Sequence, residues 1–207
     1  MPNGNCTYFL SRSQPPFFSL MVRDVYEQTN DKAWLNEMYT AAKREHDFWT
    51  NQRSTETGLN RYFGSEPYSS NAKDYCERVG IEMPTDEKQI EDLAYNYRAI
   101  CESGWDCSSR CGFEMQNYNM VDLNSLLYDM EQNLAYFCKE LGICEEESWL
   151  KLAEERKEKI NTLLYDNEKA LITIITLLAI KKTIYLHLHL AILFMLRFAV
   201  KNKLKNS

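Results

Sequence analysis

The sequence predicts an all-α protein built of helical hairpins. Apolar side chains recur at the spacing of an amphipathic helix along five segments, and no convincing alternating strand pattern occurs before residue 170. Composition agrees with a packed domain, because 44% of the 207 residues are hydrophobic and 13% are aromatic, with only 7 Gly and 5 Pro. These values exclude collagen-like and wholly disordered chains.

The first two helices are predicted on either side of a short turn at residues 29–31. Pro15-Pro16 favours a helix start, and apolar residues follow at helical spacing from Phe17 to Tyr26. A second periodic segment runs from Trp34 to Trp49, so the pair is expected to form an αα-hairpin. Residues 50–85 lose this periodicity and gather Asn, Ser, Thr, Gly and Pro, which predicts a long irregular segment.

Three more helices are predicted further along the chain. They cover about Asp86–Glu102, Val121–Leu141 and Glu146–Leu164, and residues 103–119 are expected to be irregular. The segment 121–141 has the clearest pattern, because seven apolar side chains lie on one of its faces.

Charge is distributed unevenly. The net charge is −6, but residues 170–207 contain six basic and no acidic side chains, which leaves a net charge of −12 on residues 1–169. An acidic body of this kind argues against nucleic-acid binding, because contacts with phosphates supply most of that affinity.

The apolar, basic tail has several interpretations. Its longest charge-free run, Thr183–Leu196, has 14 residues, whereas a membrane helix needs about 20 largely apolar ones. A membrane-associated helix or hairpin through residues 170–200 and a buried or disordered extension therefore both stay open. The N-terminal residues lack the basic and apolar regions of a signal peptide, so none is expected in this chain, and the compartment stays undetermined.

The usual metal, cofactor and nucleophile patterns do not occur in the sequence. The seven Cys form no CxxC pair, and no His lies near Cys101, Cys107 and Cys111 to complete a zinc site. His46 is the single His before the tail, and no Gly-rich phosphate loop occurs. We therefore expect no cofactor and no metal, and any catalysis would depend on carboxylates.

The segment Gly104-Trp105-Asp106 is a candidate sugar site. Gly104 allows an unusual backbone conformation, Trp105 offers a flat apolar face, and Asp106 could accept or donate a proton. A carboxyl group held against an aromatic ring in a partly dry pocket has a raised pKa, which suits a general acid. The alternative is that Trp105 and Asp106 cap a helix in a surface turn.

Three motifs together resemble the trehalase family of glycoside hydrolases. They occur in the family's order and are Pro2-Asn-Gly-Asn5 with Leu10-Ser-Arg-Ser-Gln-Pro-Pro16, then Glu102-Ser-Gly-Trp-Asp106 with Ser108-Ser-Arg110, then Val121-Asp-Leu-Asn-Ser125. The resemblance covers about residues 1–168. It implies part of an (α/α)6 toroid, and inverting hydrolysis of α,α-trehalose to two glucose molecules.

The resemblance also implies roles for individual residues. Asp106 would be the general acid, and five positions would bind the disaccharide: Asn3, Arg12, Ser13, Gln14 and Gly104. An inverting enzyme needs a second carboxylate, about 6.5–9.5 Å from the acid, to activate water. No segment of this chain matches the family's base, so the chain is expected to lack it.

The chain departs from the family pattern at several places. The Arg-Pro-Glu segment expected after Asn60-Arg61-Tyr62 reads Gly64-Ser-Glu-Pro67, and the sequence changes character at residue 169. Residues 169–207 are interpreted either as a membrane-associated tail or as a non-native reading frame. A non-catalytic sugar-binding or membrane-associated interaction protein derived from a trehalase is the rival to an active glycosidase.

Overall fold

A computed structural model describes residues 12–64, 69–106, 114–166, 171–172, 174–176 and 182–183. Their helices are α1 (Phe18–Thr29), α2 (Lys32–Gln52), α3 (Ser69–Val79), α4 (Glu87–Ser103), α5 (Val121–Leu141) and α6 (Glu146–Lys159). A short 3-10 turn, Met115–Asn117, precedes α5, and a wider π-helical turn, Ile160–Leu164, follows α6. The strands are β1 (Tyr118–Asn119), β2 (Tyr165–Asp166), β3 (Leu171–Ile172), β4 (Ile174–Thr176) and β5 (Lys182–Thr183).

The predicted hairpin of α1 and α2 is confirmed. Asn30 ends α1 in the left-handed conformation, with φ of 53°. Asp31 then caps α2, because its side chain accepts a hydrogen bond of 3.0 Å from the backbone N–H of Trp34. The two helices pack on each other and on α5.

The predicted irregular segment at 50–85 is wrong in part, because it contains α3. This helix pairs with α4 as a second hairpin. It buries only Ala72, Tyr75 and Cys76, so its apolar stripe is too narrow to stand out among polar neighbours in the sequence. The next helix is confirmed nearly as predicted, since Asp86 caps α4 by accepting from the N–H of Gln89 at 2.9 Å.

Helix α5 lies at the centre of the described part of the fold. It packs on α1, α2 and α6, and its bounds agree with the prediction. Its inward face supplies much of the main core, with the fully buried side chains Leu123, Leu127, Met130, Leu134 and Phe137. The prediction that α6 continues to Leu164 is wrong in detail, because α-helical geometry ends at Lys159 and the wider turn follows.

Very short strands are the second departure from the prediction. β1 pairs with β4 and β4 with β5, and β2 pairs with β3, all antiparallel. β1 and β2 lie before residue 170, where the sequence predicts no strand, because two residues are too few to produce an alternating pattern. The described residues remain all-α in class, with three αα-hairpins and small strand pairs at their margin.

The predicted membrane segment through residues 170–200 lies largely outside the described residues. Within the part that the structure does describe, every helix is too short or too polar to cross a bilayer.

A buried ion pair ties the first and third hairpins together. The guanidinium of Arg156 donates to both oxygens of Glu131, from Nε at 2.9 and 3.0 Å. His46 Nε2 on α2 lies 3.1 Å from Glu131 Oε1. Arg156 also donates from Nη1 to Asn60 Oδ1 at 2.7 Å and to Asn124 Oδ1 at 3.2 Å. The pair therefore joins α2, α5, α6 and the segment after α2.

Candidate active site

The candidate site lies at the C-terminal end of α4. The last eight residues of this helix, Asn96–Ser103, are all buried, which is unusual for a helix end and places it inside the fold. Gly104 ends the helix in the left-handed conformation, with φ of +72°. Trp105 and Asp106 follow directly, so the end of α4 determines the position of the predicted acid, Asp106.

The first motif packs against this helix end. A Cβ atom built on Gly104 would lie 3.9 Å from Gln14 Oε1 and 3.9 Å from Pro15 Cγ. The backbone N–H of Ser13 donates to Glu102 Oε1 at 3.1 Å, across 89 residues of sequence. Arg12 and Ser13 are buried and Gln14 is half-buried. The structure therefore brings Arg12, Ser13, Gln14 and Gly104 together at the end of α4.

Glu102 is the most highly connected carboxylate at this site. Its side chain is fully buried, and Arg53 donates to it from Nε at 2.9 Å and from Nη2 at 2.9 Å. The backbone N–H of Phe63 donates to its second oxygen, Oε2, at 2.8 Å. The sequence places Glu102 in the second motif without indicating a role for it, and no sequence pattern indicates Arg53. The one signal in the sequence is a charged residue on the buried face of α4.

Arg12 and Asp106 both act on the same buried thiol. Burial raises the pKa of Cys101; the positive charge of Arg12 opposes this rise, and the negative charge of Asp106 adds to it. Arg12 also lies over Tyr97, with its guanidinium carbon 6.0 Å from the ring centroid. Burial, above all, raises the pKa of Tyr97 to about 12, so this phenol stays protonated near neutral pH. Arg12 and Asp106 therefore have opposite effects on the pKa of Cys101.

Asp106 itself is exposed in this structure. The dry pocket against an aromatic ring, which the sequence suggested, is not formed around it by the described residues. Asp106 also does not cap α4, because it follows the C-terminal end of the helix, where Gly104 is the cap. A carboxylate is not favoured at that end by the helix dipole.

Trp105 connects the second motif to the third. Its indole Nε1–H donates to Asp122 Oδ2, in the first turn of α5, at 3.0 Å. Asn124, from the same motif, accepts from the N–H of Asn60 at 2.9 Å and donates to the carbonyl of Asn60 at 2.9 Å. The described residues of the second and third motifs are thus joined by a hydrogen bond, and those of the first and second motifs by the bond from Ser13 to Glu102. Asn3, the remaining predicted sugar-binding residue, lies outside the described residues.

Comparisons with known proteins point to one family. The sequence model of the family described as Trehalase matches residues 1–173. The human protein named Trehalase is 34% identical over 161 residues, which cover 69% of this chain and 27% of the relative. The Trehalase of Dictyostelium discoideum is 36% identical over 169 residues, with the same two shares. The chain therefore matches little more than a quarter of the length of these curated relatives.

A solved structure gives the architecture. Neutral trehalase Nth1 from Saccharomyces cerevisiae superposes with a TM-score of 0.75 at 24% identity, over 89% of this chain and 41% of that chain. The three hairpins therefore have the arrangement of part of an all-α toroid, which confirms the predicted fold class. Because the family model matches residues 1–173, which is most of the sequence, the chain belongs to the trehalase family.

Proposed function

We propose that this chain binds α,α-trehalose at the end of α4 and contributes the general acid for its hydrolysis. The observation that carries the proposal is the contact between the first and second motifs. Gln14 lies beside Gly104, and Ser13 is hydrogen-bonded to Glu102, two residues earlier in the same helix. Residues that the family resemblance assigns to sugar binding are thus neighbours, and Asp106, the proposed acid, follows Gly104 by two residues.

Each residue has a role that suits a neutral polyol. The Arg12 guanidinium offers several fixed donors, and the Gln14 amide can both donate and accept, so together they match hydroxyl groups. Ser13 and Asn3 add further polar groups, and Gly104 lets the sugar approach the backbone. Asp106 would give its proton to the glycosidic oxygen as the bond to the anomeric carbon breaks.

Inversion requires a water molecule on the opposite face of the sugar. A second carboxylate, at about 6.5–9.5 Å from the acid, would remove a proton from that water. No segment of this chain matches the family's base, and we assign none. We therefore expect the chain alone to hydrolyse trehalose more slowly than a full-length relative, by about 10²- to 10⁴-fold.

The proposal is tested with the purified chain and two matched variants. Asp106→Asn removes the acid, whereas Asp24→Asn makes the same change at an exposed Asp on α1. We expect all three proteins to bind trehalose in calorimetric titration. We expect glucose release to fall at least about 100-fold in Asp106→Asn alone.

Two results would contradict the proposed acid. Equal glucose release by wild type and Asp106→Asn would remove Asp106 from the reaction. Trehalose binding without any glucose release that depends on Asp106 would favour the rival, a non-catalytic sugar-binding protein.

A further inference from the structure

The Glu102 carboxylate joins three separate segments of the chain. It accepts from the backbone N–H of Ser13 in the first motif, and from the backbone N–H of Phe63 in the segment after α2. Its own helix, α4, carries Gly104 two residues later. Both oxygens are occupied, and the side chain has 0% exposure, so it cannot reach a sugar directly.

We propose that Glu102 is a positioning residue for the sugar site, acting through the Ser13 amide. It holds the Arg12–Gln14 segment next to the end of α4, so that the Gln14 side chain remains beside Gly104. Because it concerns the trehalose site, this inference rests on the proposed function. Its effect on the loop is nevertheless measurable without any sugar.

Arg53 makes this arrangement possible. A carboxylate buried without a counter-charge would be strongly unfavourable, and Arg53, 3% exposed, supplies that charge through its planar fork. Arg53 comes directly after α2, so the pair also attaches the end of that helix to the end of α4. The acceptor for Ser13 is therefore held at a fixed place by two helices.

A second buried pair provides a matched control. Glu131 and Arg156 are almost as buried, at 2% and 8% exposure, and are also joined through several hydrogen bonds. Glu131, however, bonds His46 and Arg156, which lie on helices α2 and α6. A purely structural role for Glu102 would make Glu102→Gln and Glu131→Gln behave alike.

The experiment compares these two variants in the full chain by amide hydrogen exchange and by trehalose titration. In Glu102→Gln the new amide has one acceptor oxygen where the carboxylate uses two, so it cannot satisfy Ser13, Phe63 and Arg53 together. In this variant we expect exchange at the Ser13 and Phe63 amides to be at least tenfold faster, and the Kd for trehalose at least tenfold higher. In Glu131→Gln we expect the exchange rates of these two amides and the Kd for trehalose to stay within about twofold of wild type. The melting temperature should be lowered about as much as in Glu102→Gln.

Each outcome decides the matter. Unchanged exchange at Ser13 in Glu102→Gln, or equal changes in both variants, would overturn the positioning role. If wild type fails to bind trehalose, the proposed function fails, and the positioning role is then judged by the exchange at Ser13 alone. If Glu102→Gln does not melt cooperatively, it is replaced by the double variant Glu102→Met/Arg53→Met, which removes both charges at similar volume. The double variant is then compared with Glu131→Gln by the same exchange and titration measurements.

Discussion

Gln14 is the residue at which the first motif meets the second. Its side-chain oxygen lies 3.9 Å from the place where Gly104 would carry a Cβ atom, and the side chain is only half-buried. It can therefore contact a ligand without taking part in the core. Ser13, one residue earlier, is instead buried and attached to Glu102. Ser13 therefore attaches the segment to α4 through Glu102, whereas the half-buried Gln14 side chain lies beside Gly104.

Replacing Gln14 should weaken sugar binding without loosening the fold. A hydrogen bond to a ligand is worth about 1 kcal/mol, so Gln14→Ala should raise the Kd for trehalose about fivefold. The melting temperature should stay close to that of wild type. Gln28→Ala, at an exposed position on α1, is the control and should change neither value. An unchanged Kd in Gln14→Ala would remove Gln14 from the site.

Glu131 makes the stability of the fold depend on pH. Burial alone would raise the pKa of this carboxyl, but the hydrogen bond from His46 and the charge of Arg156 outweigh burial, so its pKa lies below the ordinary value of 4.5. Between the two pKa values the unfolded chain binds more protons than the folded one. The stabilisation is therefore complete above pH 4.5 and is lost as the pH falls through the lower, folded-state pKa.

Urea unfolding at several pH values tests this dependence. In wild type, the free energy of unfolding should fall as the pH drops below about 4.5, and Glu131→Gln should lack that part of the decrease. Near pH 7 the same variant should be less stable by about 3 kcal/mol, because Arg156 is then buried without its counter-charge. Parallel acid profiles for the two proteins would show that Glu131 is not the group responsible.

Among the helices, α4 and α5 both end at a glycine in the left-handed conformation, but the surroundings of the two glycines differ. Gly104 ends α4 with φ of +72°, and Gly142 ends α5 with φ of +70°. Apart from its chain neighbours, none of the described residues has an atom within 4 Å of a Cβ built on Gly142, whereas a Cβ on Gly104 would contact Gln14 and Pro15. Gly142 therefore serves only to allow the positive φ at the end of α5, whereas Gly104 allows the same conformation and also lies against Gln14 and Pro15 of the first motif.

This difference gives a paired prediction. Alanine at either position should cost about 1 kcal/mol of stability, because L-residues are disfavoured in the left-handed region. Gly104→Ala should also weaken trehalose binding several-fold, since its new methyl group would lie beside Gln14. Gly142→Ala should bind trehalose as wild type does. Thermal melts and sugar titrations measure the two effects, and equal affinities in the two variants would contradict the assignment of Gly104.

Sequence pattern predicts those helices that bury a wide stripe. The bounds of α5 agree with the prediction, because eleven of its side chains are buried and many are leucine or another apolar residue. Helix α3 is not predicted from the sequence, because only three of its side chains are buried and the rest of the helix is mostly polar, with Ser, Asn, Lys and Glu. β1 and β2 are not predicted either, because two-residue strands depend on a partner rather than on their own pattern.

At the scale of the whole molecule, the site depends on contacts between distant residues. The resemblance predicts that Arg12, Ser13, Gln14 and Gly104 bind the sugar, and the structure brings these four residues together. The pairing of Arg53 with Glu102 spans 49 residues, and that of Ser13 with Glu102 spans 89. Neither pairing has a local signal, because the partners meet only after the three hairpins pack. The motifs therefore predict which residues form the site, whereas the hydrogen bonds of Glu102 with Ser13 and Arg53 become visible only in the folded structure.

The arrangement of hairpins matches part of the toroid of a solved trehalase, with a TM-score of 0.75. In that setting the end of α4 carries the first motif, the predicted acid and the connection from Trp105 to Asp122 in one place. We infer that trehalose binds at this place.

Calorimetric titration of the purified chain with α,α-trehalose measures this binding, with Arg12→Met as the variant that removes the guanidinium at similar length. We predict saturable binding by wild type, weaker binding of maltose, and a Kd for trehalose raised at least tenfold in Arg12→Met. No saturable binding by a cooperatively folded wild-type chain, or equal affinities in wild type and Arg12→Met, would contradict this inference.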